Sequence, residues 1–380
     1  MAFHDKRIIL PDDDDVDVDS VLAALETINE KMTSDDKAKK AKAIADLAYK
    51  NDKLWTLLKK RNLESNVMNA LLKIMVGTGA NENAKTQAAK AIRYLAYDLK
   101  LSEDIASDKL KGTNKYTPLM DGIIRVMQTE AFPEAQMQAT MAAYNLGEDA
   151  GGAYLDELLA PLQHLLQNGR RSGDNRNDVE GAAAGVFYTM LHEHPERVSA
   201  IEPGKLDKLT DLLVQLLGKG TKGSEGDQRG QENAAMAILS LAASPEAAEI
   251  LIQKPKAIPA IANLFRAGSA DGKEYAALVL QELLTVKDKI PGKIEVFENG
   301  SLVEGLVGDA VNVLKTGTAD ARTETAKLVQ KLCVDQQTKQ LLGHSGSMHQ
   351  LREALMSVNQ GGNSEAAKEA SAALEAVKDV

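Results

Sequence analysis

Near the start of the chain, Asp15, Asp17, Asp19, Ser20 and Glu26 follow most of the spacing of a calcium loop. Acids at loop positions 1, 3, 5 and 12 gather hard oxygen ligands around one cation. Two features count against that chemistry. Ser20 stands where the loop needs glycine for its sharp turn, and Pro11 with four aspartates cannot form the incoming helix. The expected reading is a helix cap at Asp19 or Ser20, ahead of the apolar stripe Val21, Leu25, Ile28 and Met32. Gly218, Gly220 and Gly223 spell a dinucleotide-binding fingerprint, but a helix precedes them and no strand is expected. His192 and His194 stand before Pro195 without a third ligand, and His344 and His349 flank a Gly-Ser loop, so both pairs read as turn residues. Ser345 has no base fixed near it in sequence. Cys333, the one cysteine, reads as a small core residue rather than a nucleophile. No catalytic residue, metal or cofactor is therefore expected, and the chain is not read as an enzyme.

The elements that would have to position any such group carry a stronger signal. One phrase recurs eight times, ending at Leu47, Leu95, Leu146, Met190, Leu241, Leu283, Leu332 and Val377. Six residues earlier stand Ala41, Ala89, Thr140, Ala184, Ala235, Ala277, Ala326 and Ser371, all small. Three residues earlier stand Ile44, Ile92, Ala143, Phe187, Ile238, Leu280, Val329 and Leu374. The steps between landmarks are 48, 51, 44, 51, 42, 49 and 45 residues, the period of a stacked helical solenoid.

Each unit reads as a short connecting helix, a longer apolar helix, a glycine stop, and the helix that carries the phrase. Ile258, Ile261, Leu264 and Phe265 form such a stripe, followed by Gly268 and then Ala276, Ala277, Leu280 and Leu283. Gly268, like Gly79, Gly169, Gly218, Gly317 and Gly361, is expected to end its helix in the left-handed conformation. The third unit lacks such a glycine and breaks at Pro133. Two connections are lengthened, at about residues 170–178 and 219–230; they belong to adjacent units and so could lie side by side.

Composition agrees with a helical core. Apolar residues make up 44% of the 380, and aromatics only 4%, which suits helices packed through Ala, Leu and Ile. No apolar run is long enough to span a bilayer, Asp12 to Asp15 lie where a signal peptide would be greasy, and one cysteine forms no intrachain disulfide. A cytoplasmic location is expected. The net charge of −10 is uneven: residues 1–40 carry 6 Lys/Arg against 11 Asp/Glu, residues 41–125 carry 15 against 9, and the rest 24 against 35. That balance argues against nucleic acid as the partner, and it makes the basic block a docking surface for an acidic partner. Residues 1–17 are expected to form a flexible acidic segment and residues 18–380 the repeat domain, capped by polar-faced helices at Val18 to Met32 and Ser364 to Lys378. A solvated tail is the simpler expectation for the acidic run; the alternative is that it folds back over the basic block as an intramolecular competitor.

The three-helix cadence, the glycine turn and the recurring phrase resemble armadillo repeats and the related HEAT repeats. The resemblance covers roughly residues 20–380 and implies an all-α, right-handed superhelix of about eight repeats, with phrase helices lining a concave groove for partner proteins. The peptide-binding nuclear-import adaptors of that class carry a ladder of Asn and Trp. Only Asn145 matches here, and Trp55 lies outside the phrase helices, so basic import signals are not expected to bind in that manner. The residues standing at the ladder positions make the groove cationic at Lys42, Lys90 and Tyr94, and soft and weakly polar at Met141, Asn145, Gly185, Thr189, Met236 and Ser240, with Leu278 and Glu282 following. The expected partner-binding residues are Lys42, Lys90, Tyr94, Met141, Asn145, Thr189, Met236 and Ser240, with the middle of the groove gripping an amphipathic segment. The expected function is a non-catalytic, protein-binding scaffold or adaptor. The alternatives are a nucleotide-exchange regulator of a heat-shock ATPase and an architectural subunit of a larger complex.

Overall fold

The computed structural model of the chain describes residues 32–129, 131–168, 179–192, 194–219, 225–286, 299–334, 336–343, 346–361, 364–378 and 380. The calcium-loop spacing, the acidic segment 1–17, most of the first capping helix, the insertion at 170–178 and Ser345 lie outside them. Among the described residues there are 20 α-helices and no strand.

The helices form two compact units, one ending at Pro161 and one beginning at Leu162. In the first, α1 (Ser34–Lys50) carries the first phrase. Next come α2 (Leu54–Lys60), α3 (Glu64–Val76) and α4 (Glu82–Leu95), then α5 (Leu99–Lys111), α6 (Thr117–Met127) and α7 (Pro133–Ala153). The first unit ends within α8 (Leu155–Asn168). The second unit continues with the phrase helix α9 (Val179–Leu191), followed by α10 (Pro195–Ala200), α11 (Pro203–Lys219) and α12 (Glu225–Ala242). The next repeat is α13 (Pro245–Gln253), α14 (Ala257–Ala267) and α15 (Ala270–Val286). Then come α16 (Gly300–Thr316) and α17 (Ala319–Val334), and last α18 (Gln336–Gly343), α19 (Met348–Asn359) and α20 (Glu365–Ala376).

The phrase explains the stacking. In the first unit α1 packs on α4 and α4 on α7; in the second, α9, α12, α15, α17 and α20 pack in succession. Small residues six before each landmark let neighbouring backbones approach, and Ala41, Ala89, Thr140, Ala184, Ala235, Ala277 and Ala326 are all fully enclosed. The landmarks Leu95, Leu146, Met190, Leu241, Leu283, Leu332 and Val377 are buried with them, while Leu47 is only half-buried. Ser371, in the last phrase, is exposed and Leu374 half-buried, as the outer face of a terminal repeat requires. The apolar helices form a second layer, with α3 on α6, α11 on α14, α14 on α16 and α16 on α19. The chain is an all-helical repeat solenoid.

The glycine stops correct one expectation. Gly268 has φ −70° and ψ 174°, and Gly317 φ −73° and ψ 168°, so neither is left-handed. Their role is steric: a Cβ at Gly317 would lie 2.6 Å from the Val313 carbonyl oxygen and 3.0 Å from Val313 Cγ1. Gly317→Ala is therefore expected to cost about 1–3 kcal/mol through a forced backbone shift, read as a fall in the thermal midpoint. An unchanged midpoint would remove this account. The left-handed glycines lie elsewhere. Gly147, at φ 62° and ψ −145°, interrupts α7 and lets one helix run into the next without a loop.

Candidate functional site

The phrase helices carry the expected partner-binding residues, and the structure divides them. Lys42 is exposed and ion-paired with Asp46 at 2.6 Å. Lys90 places Nζ 5.6 Å from the centre of the Tyr94 ring, which itself lies 5.0 Å from Tyr49 and stacks on Tyr97 at 6.0 Å. Lys90, Tyr49, Tyr94 and Tyr97 form a cation–aromatic cluster where α1 meets α4. Asn145 does not await a ligand: its Nδ2 donates to the Arg93 carbonyl at 2.9 Å and ties α7 to α4. Thr189 Oγ1 donates to Val186 O at 3.0 Å.

Tyr94, Met141, Met236 and Ser240 are all buried, the last three with 3%, 6% and 5% exposure. This corrects the expectation of a soft gripping surface. The small phrase residues bring neighbouring helices so close that side chains flanking the seam are enclosed, and the thioethers join the core. Ser240 Oγ turns back to the Met236 carbonyl at 3.2 Å. Lys42, Lys90, Asn145 and Thr189 remain at least partly accessible.

A repeating register that helical periodicity alone does not reveal crosses between phrase helices. The residue two before a landmark reaches the residue eight before the next one. Arg93 Nη1 donates to Gln138 Oε1 at 3.2 Å in the first unit. In the second, Gln281 Nε2 donates to the Glu324 carbonyl at 2.9 Å and its carboxylate at 3.0 Å, and Gln330 Nε2 does the same to Glu369 at 3.0 and 2.9 Å. The signal was available as a Gln and a Glu at fixed offsets from successive landmarks.

The same register sets out carboxylates along the second unit. Asp271, Asp320 and Glu365 each stand twelve before their landmarks, and Glu324 and Glu369 eight before. Glu232 and Glu274 lie beside them, both part-buried. Burial pushes the Glu274 carboxyl above its ordinary value, and the negative charges of Asp320, Asp271 and Glu324 push it further. Burial and Asp271 raise Glu232 despite its hydrogen bond from Ser269. Burial, Glu274 and Asp271 raise the phenol of Tyr275. Like charges held together in partly desolvated positions disfavour one another, and each is relieved by a proton or by an external cation. The sign follows: a raised folded value makes the ionised form destabilising, so this strain is present at neutral pH and fades as pH falls toward the ordinary 4.5. Glu274→Gln is thus expected to raise the thermal midpoint at neutral pH and to lose that advantage near the ordinary value. A midpoint shift independent of pH would contradict it. Lys327, ion-paired with Glu324 at 2.8 Å, neutralises only one member of the row.

Where they are described, the histidines of the remaining motifs make local contacts. His192 packs on Tyr188 with ring centres 4.6 Å apart, His194 pairs with Glu196 at 2.7 Å, and His349 pairs with Glu353 at 3.2 Å. Gly218 lies inside α11, while Gly220, Gly223 and His344 fall outside the described residues. Cys333 is buried, and burial lifts its thiol to about 11, which leaves too little thiolate for nucleophilic work at neutral pH. Among the described residues no three metal-binding side chains converge, and no helix is long and apolar enough to cross a membrane.

No family model matches the sequence, and no curated protein matches it. Solved structures do. An engineered protein is 20% identical, with 68% of this chain and 98% of that one covered at a TM-score of 0.50. A designed armadillo repeat protein in complex with the peptide (KR)4 is 19% identical over 67% and 98%, with a TM-score of 0.49. Computationally designed armadillo repeat proteins for modular peptide recognition are 18% identical over 72% and 98%, with a TM-score of 0.45. At these identities the likeness shows the fold alone.

Proposed function

We propose that this helical-repeat chain is a non-catalytic scaffold or adaptor that binds another protein, and that its second unit holds a basic, extended segment of that partner. The observation that carries the reading is the row of carboxylates that returns from repeat to repeat, Asp271, Asp320 and Glu365 at one offset and Glu324 and Glu369 at another, with part-buried Glu274 beside them. Successive repeats offer the same group at the same place, so lysines or arginines spaced along one partner strand meet them in turn. The row is under-neutralised, so a cationic side chain replaces mutual repulsion with attraction and gains more than it would at an ordinary surface carboxylate. The buried Met141 and Met236 have no gripping role in this reading.

The test is a titration of the full chain with lysine- and arginine-bearing peptides at low and moderate salt. Asp271→Asn, Glu274→Gln, Asp320→Asn and Glu324→Gln combined are expected to weaken binding by about tenfold or more, on the order of 1.4 kcal/mol. Affinity that is insensitive both to these changes and to salt would sink the proposal. Faster nucleotide release from a heat-shock ATPase would instead favour the exchange-regulator alternative.

A further inference from the structure

On the first unit, α3, α4, α6 and the segment leading into α7 line a small, open recess. Met75, Val76 and Val126 give it an apolar floor, and Lys85, Arg125 and Phe132 stand around it. Beneath it Gly122 lets α6 pack closely on α3, because a Cβ there would overlap Leu72 Cδ1 and lie 2.9 Å from Met75 Cε. Lys85 reaches across to within 5.3 Å of the Phe132 ring centre. Neither cation is ion-paired with an acid among the described residues. Burial, and then the charge of Arg125, hold the Lys85 ammonium below its ordinary value. Lys85 is half-buried and Arg125 exposed at the rim, and the two like charges oppose each other unless an anion joins them.

We infer that this recess is a carboxylate-binding site for an acidic, extended segment, and that its occupant is the chain's own run Asp12 to Asp19. Three observations select the occupant. The run alternates Asp15, Val16, Asp17, Val18 and Asp19, which in extended form puts acids on one side and valines on the other. That alternation suits two cations above an apolar floor. The chain enters the described structure beside the recess: Ser34 Oγ donates to the Gly79 carbonyl at 2.8 Å and accepts from the Asn81 amide at 3.3 Å. Val76 lies three residues before Gly79, and Lys85 one helical turn after Asn81. The fifteen residues from Asp19 to Ser34 can span at most about 50 Å at ~3.4 Å each. The run is thus tethered close to the recess, at an effective concentration on the order of millimolar. The assignment is independent of the carboxylate row on the second unit.

A fluorescent peptide of residues 10–20 tests it by anisotropy at low salt, always with the full chain. One variant carries Asp13→Asn, Asp15→Asn, Asp17→Asn and Asp19→Asn; a second adds Lys85→Gln and Arg125→Gln; a third adds Lys85→Arg instead. The first variant is expected to bind the added peptide about tenfold more tightly than the wild type, because its own run no longer competes. The second variant should lose that binding, and the third should keep it, since the charge is retained. Raising the salt to about 0.3 M should remove most of it. Equal binding by the wild type and the first variant would show that the run does not occupy the recess. Binding retained without the Lys85 and Arg125 charges would place the peptide elsewhere. Either result overturns the inference.

Discussion

Trp55→Ala is expected to cost the first unit roughly 3–5 kcal/mol, the range for truncating a fully buried large aromatic side chain. Trp55, on α2, is fully buried. Its ring meets Tyr116 edge-on with centres 6.2 Å apart, and its indole N–H donates to Asp104 Oδ2 at 3.1 Å on α5. The side chain therefore joins the connecting helix of one repeat to that of the next, an interface on which a solenoid depends because each repeat contacts only its neighbours. Its loss leaves a cavity and one fewer donor on Asp104, which Lys59 still holds at 2.6 Å. Urea unfolding followed by far-ultraviolet circular dichroism measures the cost, since the variant lacks the chain's one tryptophan. Trp55→Phe, which keeps a ring and removes the N–H, should lose less than half as much. A cost below about 1 kcal/mol for Trp55→Ala would mean that the site collapses freely and the interface is not held there.

Asp108→Ala is expected to cost about 3 kcal/mol, because buried donors left without acceptors cost about 1–3 kcal/mol each. Asp108 lies buried near the end of α5. Its carboxylate accepts from the Lys115 amide at 2.9 Å, the Tyr116 amide at 2.7 Å and the Thr113 hydroxyl, which folds the 112–116 connection back onto α5. Burial alone would raise its pKa, but the bonds from Thr113, Tyr116 and Lys115 outweigh burial and bring it below the ordinary 3.8. The pH dependence has the opposite sign to that of Glu274. The contribution of Asp108 is complete above 3.8 and is lost only as the pH falls through its lower folded value. Denaturant titrations of Asp108→Ala and the wild type should diverge at neutral pH and converge in strong acid. A difference that persists in acid would assign the cost to packing instead of the carboxylate.

The repeat architecture was legible because it is written in residue size. Ala89, Ile92 and Leu95, or Ala277, Leu280 and Leu283, can only be a helix face meant for close contact, and they are buried as that face requires. Which flanking residues stay open was not legible. Helical periodicity gives the direction of a side chain around its axis but not how near the next axis comes. Met141 and Met236 thus fall on the face that periodicity marks as open, yet they are core, whereas Lys90 can extend its charged end beyond the same seam. The glycines failed for a related reason: a stop signal names the residue and not the conformation, and at Gly317 the constraint is the neighbouring carbonyl. The carboxylate row was hidden because members at the same offset lie 45 to 49 residues apart and form a pattern only once the landmarks align them.

Gly147 adopts φ 62° and ψ −145° with open space where a side chain would go. Inverting both angles gives an ordinary polyproline-like residue, so the backbone at this joint is the mirror image of one that any L-amino acid accepts. What the position demands is handedness, not smallness. A D-alanine placed there by chemical ligation would match the joint's chirality, whereas an L-alanine would find room for its methyl group and no permitted backbone to carry it.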